Sequence, residues 1–404
     1  MINIIIKCLK KMKRILRSGI KRDFATLKME LISPFRRIIL RKHVADKKAF
    51  LGLKDDVCCK RVIIFPPTID WDMPLYQRPQ QLAVSYSNKE DIVVIYITKN
   101  LQYDKVSTVK KVKENLWLVN DSFSADLKEY LETAREKIVS ISWTINKRYL
   151  ELLQPDRVIY EYIDELEIFG GYGSEMEKDH LEFLKNSDVA VCTATKLYRQ
   201  AEKYAKKPLL SPNAGDYDFF VNTDSYEIDP IIKDKIKPYK CVLGYYGAIA
   251  SWFDYELIKS VAEKHSEWVF VLVGVDYDGS IYKSEITKMK NIVYVPPQPY
   301  RNLPGFLKAF DIAMIPFVIN EITLSTSPVK LFEYMAAGKP IISSKMPECL
   351  KYQSVKTYSN EDEFCEIVDG YMAMEPENKY WEVLRKEALE NTWDTRTDEI
   401  LNAL

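Results

Sequence analysis

The chain has 404 residues, 47% of them apolar, which is long enough for two cores, since a single core rarely grows beyond ~250–300 residues. Its 58 basic and 58 acidic residues cancel, and no recognised nucleic-acid-binding motif occurs, so nucleic acid is not an expected partner. Seven scattered cysteines lack metal-ligand pairing, and Cys58 and Cys59 are too close together for an ordinary bridge or a C-x-x-C site; this excludes a disulfide scaffold and fits a reducing cytosol.

The charge cancellation is uneven. Residues 1–50 carry fifteen Lys and Arg against Asp23, Glu30 and Asp46, so the remainder has an acidic excess of twelve. On a helical wheel Ile2, Ile5, Leu9, Met12, Leu16 and Ile20 share one side, opposite Lys7, Lys10, Lys11, Lys13, Arg14 and Arg17. Such a basic amphipathic pattern suits a helix lying on anionic lipid, and residues 35–42 repeat the chemistry. The apolar run before Lys7 is too short for a secretory signal, and no run reaches the ~20 residues of a membrane span. Residues 1–42 are therefore expected to hold a cytoplasmic protein against the inner face of the cell membrane. Docking on the protein's own acidic surface and a disordered arm remain open alternatives.

Further along, short apolar, β-branched runs at 61–65, 91–97, 137–142, 158–162 and 189–193 read as buried strands separated by helical stretches. The same grammar restarts after Asp216, with runs at 241–246, 268–274 and 292–295, one ending at Phe317, and one at 340–343. Alternation of this kind predicts an α/β fold with two doubly wound parallel sheets, a first domain over 51–215 and a second over 216–378. No internal repeat or low-complexity tract interrupts it.

In such sheets ligands sit beyond the carboxyl ends of the strands. The loop 68–74 places Trp71 to stack on a sugar face and Asp70 to accept from an acceptor hydroxyl; turn formation by Asp70 and core packing by Trp71 stay open. The triplet Asp70-Trp71-Asp72 is too cheap a match to count as a metal motif. Gly247 and Ala248 follow a strand and precede a helix near Asp254, a setting in which amides approach a phosphate. The densest signal is Ser327-Pro328-Val329-Lys330-Leu331-Phe332-Glu333-Tyr334-Met335-Ala336-Ala337-Gly338-Lys339-Pro340. Here Ser327 serves as N-cap, Pro328 opens a helix over 328–337, and Gly338 and Pro340 end it. Open amides, the positive dipole end and Lys330 attract an anion, and Glu333 on the same face can accept from a ribose diol, although a solvated Lys and Glu would fit the spacing too. His43, His180 and His265 are isolated, so neither metal binding nor imidazole catalysis is favoured.

That last segment resembles the signature helix of GT-B glycosyltransferases of the family-4 (group 1) type, in which the Glu binds the donor ribose. Residues 311–317 resemble the family's strand just upstream, Pro212-Asn213-Ala214-Gly215-Asp216 its interdomain segment, and 243–247 the strand opening its second domain. The segments 76–83 and 247–254 look like the branch of teichuronic-acid and related bacterial surface-polysaccharide transferases. The resemblance implies two Rossmann-like domains facing a cleft, and a C-terminal helix from about Tyr380 (379–404) that crosses back to the first domain. It also implies transfer of a sugar from a nucleotide-sugar donor to a lipid-linked saccharide, with retention of configuration and without metal or other cofactor. Carried over by residue, Lys330, Gly247, Ala248, Pro328 and Val329 hold the diphosphate. Asp164 orients or deprotonates the acceptor, and Arg78 clamps an acceptor anion or caps a strand. Two departures stand out. Ser325 occupies the place of the family's first Glu, where a hydroxyl of Ser325 or Ser327 is left to bond the donor, and Ser251-Trp252-Phe253-Asp254 replaces the usual Arg and Lys. A catalytically silent partner protein of this fold and a sugar-nucleotide 2-epimerase are the competing expectations.

Overall fold

The structure is a computed structural model that describes residues 47–74, 76–166, 173–375 and 377–404. The basic segment 1–42 expected to lie on a membrane falls wholly outside the described residues. The first sheet comprises β1 (Arg61–Phe65), β2 (Ile92–Thr98), β3 (Val109–Lys113), β4 (Leu116–Asn120), β5 (Glu136–Ile141), β6 (Arg157–Tyr162), β7 (Val189–Cys192) and β8 (Pro208–Leu210). Their order is β3-β4-β2-β1-β5-β6-β7-β8, parallel except for the edge pair β3 and β4. The second sheet holds β9 (Cys241–Tyr246), β10 (Trp268–Val273), β11 (Ile292–Val295), β12 (Ile312–Ile315), β13 (Ile341–Ser344) and β14 (Val355–Tyr358), in the order β11-β10-β9-β12-β13-β14 and parallel throughout.

The continuous apolar runs follow from burial on both faces of a parallel sheet. In β1, Val62 and Ile64 enter one core while Ile63 and Phe65 enter the other, as the two-residue strand period requires. Helices supply the covering layers: α1 (Lys47–Val57), α2 (Arg78–Ser87), α3 (Ser174–Asn186) and α4 (Thr195–Ala201) in the first domain. In the second they are α5 (Pro230–Ile236), α6 (Tyr255–Lys264), α7 (Leu303–Ala309), α8 (Val329–Ala336) and α9 (Glu361–Met372). Asp254 caps α6 by accepting from the Leu257 amide at 3.1 Å.

The return to the first domain comes later than the expected helix from Tyr380. There are two helices, α10 (Tyr380–Glu390) and α11 (Trp393–Ala403). Leu384 and Ala388 of α10 still belong to the second core, whereas Trp393, Ile400 and Ala403 of α11 enter the first. The chain crosses at Asn391 and Thr392, beside the outgoing crossing: the Gly215 amide donates to the Asn391 carbonyl at 3.1 Å. Two adjacent strands of chain thus form the waist between the domains, and α11 packs on α2 through Thr397, Asp394 and Ser85.

Candidate active site in the interdomain cleft

Helix α8 begins one residue later than its sequence suggests. Pro328 is the N-cap, at φ −72° and ψ 118°, and Ser327 makes no cap. The Ser327 hydroxyl instead accepts from the Asn213 amide at 3.2 Å, and its carbonyl accepts from Asn213 Nδ2 at 2.6 Å. Ser327 therefore pins the start of α8 to the waist, and its hydroxyl proton has no acceptor among the described residues. The Leu331 amide bonds the Pro328 carbonyl at 3.1 Å, while those of Val329 and Lys330 have no partner among the described residues. They point the positive end of α8 along the cleft side of the domain. Gly338 closes the helix as expected, its amide bonding Met335.

Lys330 has no ion pair among the described residues. Its Nζ lies 5.2 Å from the centre of the Tyr245 ring and 5.3 Å from that of Phe317, held by cation–π attraction. Burial pushes its pKa down to about 8, with Glu333 as a partial counterweight. Gly247 makes room for it. At φ +131° an added Cβ would come within 2.7 Å of Lys330 Cε. The Gly247 amide is not a phosphate donor, because it already bonds the Val273 carbonyl at 2.9 Å. The Ala248 amide is open among the described residues, and the Ala248 carbonyl accepts from the Tyr245 hydroxyl at 2.6 Å.

Glu333 is only 3% exposed. Its Oε2 accepts from the Tyr246 hydroxyl at 2.6 Å and its Oε1 from the Tyr300 hydroxyl at 3.0 Å. Burial raises its pKa to about 7, against the opposing effect of those hydroxyls and Lys330. Ser325 is also buried, its hydroxyl donating to Glu165 Oε1 of the first domain at 3.0 Å. Where the family resemblance leaves a gap, a carboxylate from the opposite wall is brought in. Lys196 on α4 strengthens this bridge, 3.0 Å from Glu165 and 2.7 Å from Glu321.

Asp164, beside Glu165 at the end of β6, has no hydrogen bond among the described residues, and burial together with the Glu165 charge raises its pKa to about 7. The remaining first-domain candidates are committed elsewhere. Asp70 is 3% exposed and its carboxylate accepts from the amides of Leu101, Gln102 and Tyr103 at 2.9, 2.6 and 2.7 Å, so it shapes a loop. Trp71 is 8% exposed, its ring packed edge-on to Tyr96 at 5.2 Å in the core. Arg78 is buried too: it pairs with Glu161 at 2.7 Å and donates to the Pro212 carbonyl at 3.1 Å. It fastens the waist to β6, which removes it from acceptor binding. His180 is buried against the Tyr160 hydroxyl at 2.7 Å, with burial pushing its pKa down to about 4.

Glu165, Lys196, Tyr246 and the side chain of Tyr300 enter the site without having been singled out from sequence. Two of them carried a local signal: Glu165 adjoins Asp164 at a strand end, and Tyr246 immediately precedes Gly247.

Residues 242–368 match the family model described as Glycosyl transferases group 1. The matched region takes up most of the second domain, which is similar to a group 1 glycosyltransferase domain. Over 231 residues the chain is 23% identical to TuaH of Bacillus subtilis (strain 168), named as a teichuronic acid biosynthesis glycosyltransferase; the match spans 55% of this chain and 57% of that protein, little more than half of either. Similar solved structures include sucrose-phosphate synthase from Thermosynechococcus elongatus, with a TM-score of 0.64, 11% identity, and coverage of 85% of this chain and 98% of that one. HepE from Anabaena, solved in complex with UDP-glucose, superposes with a TM-score of 0.58 at 9% identity over 85% of this chain and 100% of its own. The two-sheet GT-B architecture is thus shared with these two solved structures, and Gly247, Lys330 and Glu333 all lie within the region matched by the family model.

Proposed function

We propose that the chain is a glycosyltransferase, moving a sugar from a nucleoside-diphosphate donor to a hydroxyl of a lipid-linked saccharide in bacterial surface-polysaccharide synthesis. The observation that carries this reading is Lys330: an ammonium without an ion pair among the described residues, in the first turn of α8, beside the open amides of Val329 and Lys330 and across from that of Ala248. Departure of a nucleoside diphosphate concentrates negative charge, and fixed donors aimed at that charge are the largest single contribution a protein makes to such a step. Glu333 accepts from the ribose. Asp164, with a pKa near 7, orients the acceptor hydroxyl and receives its proton as the oxygen bonds the anomeric carbon and the diphosphate leaves. The reaction retains configuration and requires no metal, as the family resemblance implies. The likeness to TuaH supports the polysaccharide setting, and that to HepE makes UDP the first nucleotide to try. No helix among the described residues is long and apolar enough to cross a membrane. The basic residues 1–42 hold the enzyme on the inner face of the cell membrane.

The test is thermal stabilisation by UDP, GDP, dTDP and CMP of the full chain and of its Lys330→Ala and Glu333→Ala variants. Ligand at ~100 times its dissociation constant adds about 2.7 kcal/mol. A shift selective for one nucleoside diphosphate and lost in both variants is expected; no shift with any of the four overturns the reading.

A further inference from the structure

Tyr300 opens the turn before α7, directly after the extended Pro296–Pro299 stretch. Its ring is gripped from both domains. It stacks on Phe219 with centroids 5.2 Å apart and planes 14° apart, and it leans on Tyr76 of the first domain at 5.1 Å. A phenol hydroxyl has one proton to give and lone pairs to receive. Gln81 on α2 donates to it from Nε2 at 3.0 Å, which leaves its own proton for Glu333 Oε1, also at 3.0 Å. Glu333 Oε2 is bonded by Tyr246. The carboxylate therefore carries two hydroxyls, one on each oxygen, which is the hydrogen-bonding pattern of a vicinal diol.

The two tyrosines differ in freedom. Tyr246 is buried inside β9, with its amide bonded to the Tyr334 hydroxyl at 3.0 Å, and it cannot leave without opening the sheet. Tyr300 is partly exposed on a turn. Resting on the reading of Glu333 given above, we infer that Tyr300 is a positioning residue: its hydroxyl holds the place on Glu333 that a hydroxyl of the donor ribose takes. Binding exchanges one hydroxyl for the other and breaks the chain from Gln81 through Tyr300 to Glu333. Nucleotide binding thereby releases a tie between the first domain and the donor carboxylate.

The experiment is calorimetric titration of the full chain with UDP, GDP and ADP and with their 2′,3′-dideoxy analogues, for wild type, Tyr300→Phe, Gln81→Leu and Glu333→Gln. Phe keeps the ring and its stacking. Tyr300→Phe is expected to bind the preferred nucleotide about tenfold more tightly, the worth of one hydrogen bond to a charged group, and Gln81→Leu, which leaves the Tyr300–Glu333 bond in place, to bind it more tightly by a smaller factor. Against the dideoxy analogue that gain disappears, since no ligand hydroxyl then competes; a merely structural Tyr300 would move both ligands alike. Unchanged or weaker binding by Tyr300→Phe, with Glu333→Gln still impaired, overturns the inference and leaves the donor site standing. Wild-type affinity in Glu333→Gln, or no nucleotide bound by wild type, removes the reading of Glu333 and the inference with it.

Discussion

Gly247→Ala separates packing from charge at the proposed diphosphate site. The substitution places a Cβ 2.7 Å from Lys330 Cε, 3.2 Å from its Nζ and 3.4 Å from the Tyr245 hydroxyl oxygen, at a backbone φ of +131°. The backbone part costs about 1–3 kcal/mol of stability, the usual penalty for an L-residue in a sparsely populated region. The close contact falls on the flexible end of a lysine, so the side chain moves and the backbone stays. Shifting a unit charge from ~4 to ~6 Å from a phosphate, at an effective dielectric of ~20, lowers the attraction from about 4 to about 3 kcal/mol, close to a tenfold loss of affinity. Urea unfolding reads the first quantity and UDP titration the second. Since the affinity loss is assigned to displaced Lys330, it must vanish in a Lys330→Met background while the stability cost persists. An equal affinity loss in both backgrounds would refute this reasoning and make Gly247 a direct contributor to the ligand's contacts.

Three further outcomes follow from the same geometry. Nucleotide affinity is expected to peak between about pH 7 and pH 8: it falls above, as Lys330 loses its proton, and below, as Glu333 gains one and ceases to be a full acceptor. A flat UDP affinity from pH 6 to 9 would contradict those roles. Arg78→Ala is expected to destabilise the fold by about 3–5 kcal/mol in urea, because it strands Glu161 in the core, whereas Arg78→Met with Glu161→Leu recovers most of the loss. Asp164→Asn is expected to lower kcat by about 10²–10⁴ while UDP binding stays within twofold, if it handles the acceptor proton; a matching loss of UDP affinity would assign it to the donor instead.

What could be read from the chain alone depended on the range of the interactions involved. Strands of the two parallel sheets announce themselves because both faces are buried, and the runs at 61–65 and 241–246 coincide with β1 and β9. β4 escaped despite full burial and the turn formers Asn115 and Asn120-Asp121-Ser122 on either side, since Leu116–Asn120 is short and follows directly on the exposed, lysine-rich edge strand Val109–Lys113. In α8, Lys330 and Glu333 were legible because helical spacing fixes their common face. Asp70, Trp71 and Arg78 were not, because their roles are set by partners far along the chain: the loop at 101–103, Tyr96, and Glu161 in another strand. Ser325 likewise looks like a donor ligand until Glu165 arrives from the other domain to take its proton.

The same long-range partners explain how a carboxylate and an ammonium three residues apart on one helix avoid cancelling each other. At that spacing Lys330 and Glu333 would ordinarily pair, yet Lys330 lies on ring faces and Glu333 between two hydroxyls. Tyr246 and Tyr300 occupy both carboxylate oxygens, while Tyr245 and Phe317 offer the ammonium ring faces in place of a counter-charge. Burial moves the pKa values of both groups toward neutrality, to about 7 and about 8, and each charge opposes the other's shift only in part. A pair of charges kept apart in this way is poised for a ligand that carries a diphosphate for one and hydroxyls for the other, and aromatic residues, not further cations, do the separating. Under the proposed function, a single desolvated Lys330 faces an incoming phosphate in place of the Arg and Lys replaced at 251–254, with less competition from water than a solvated cation would meet.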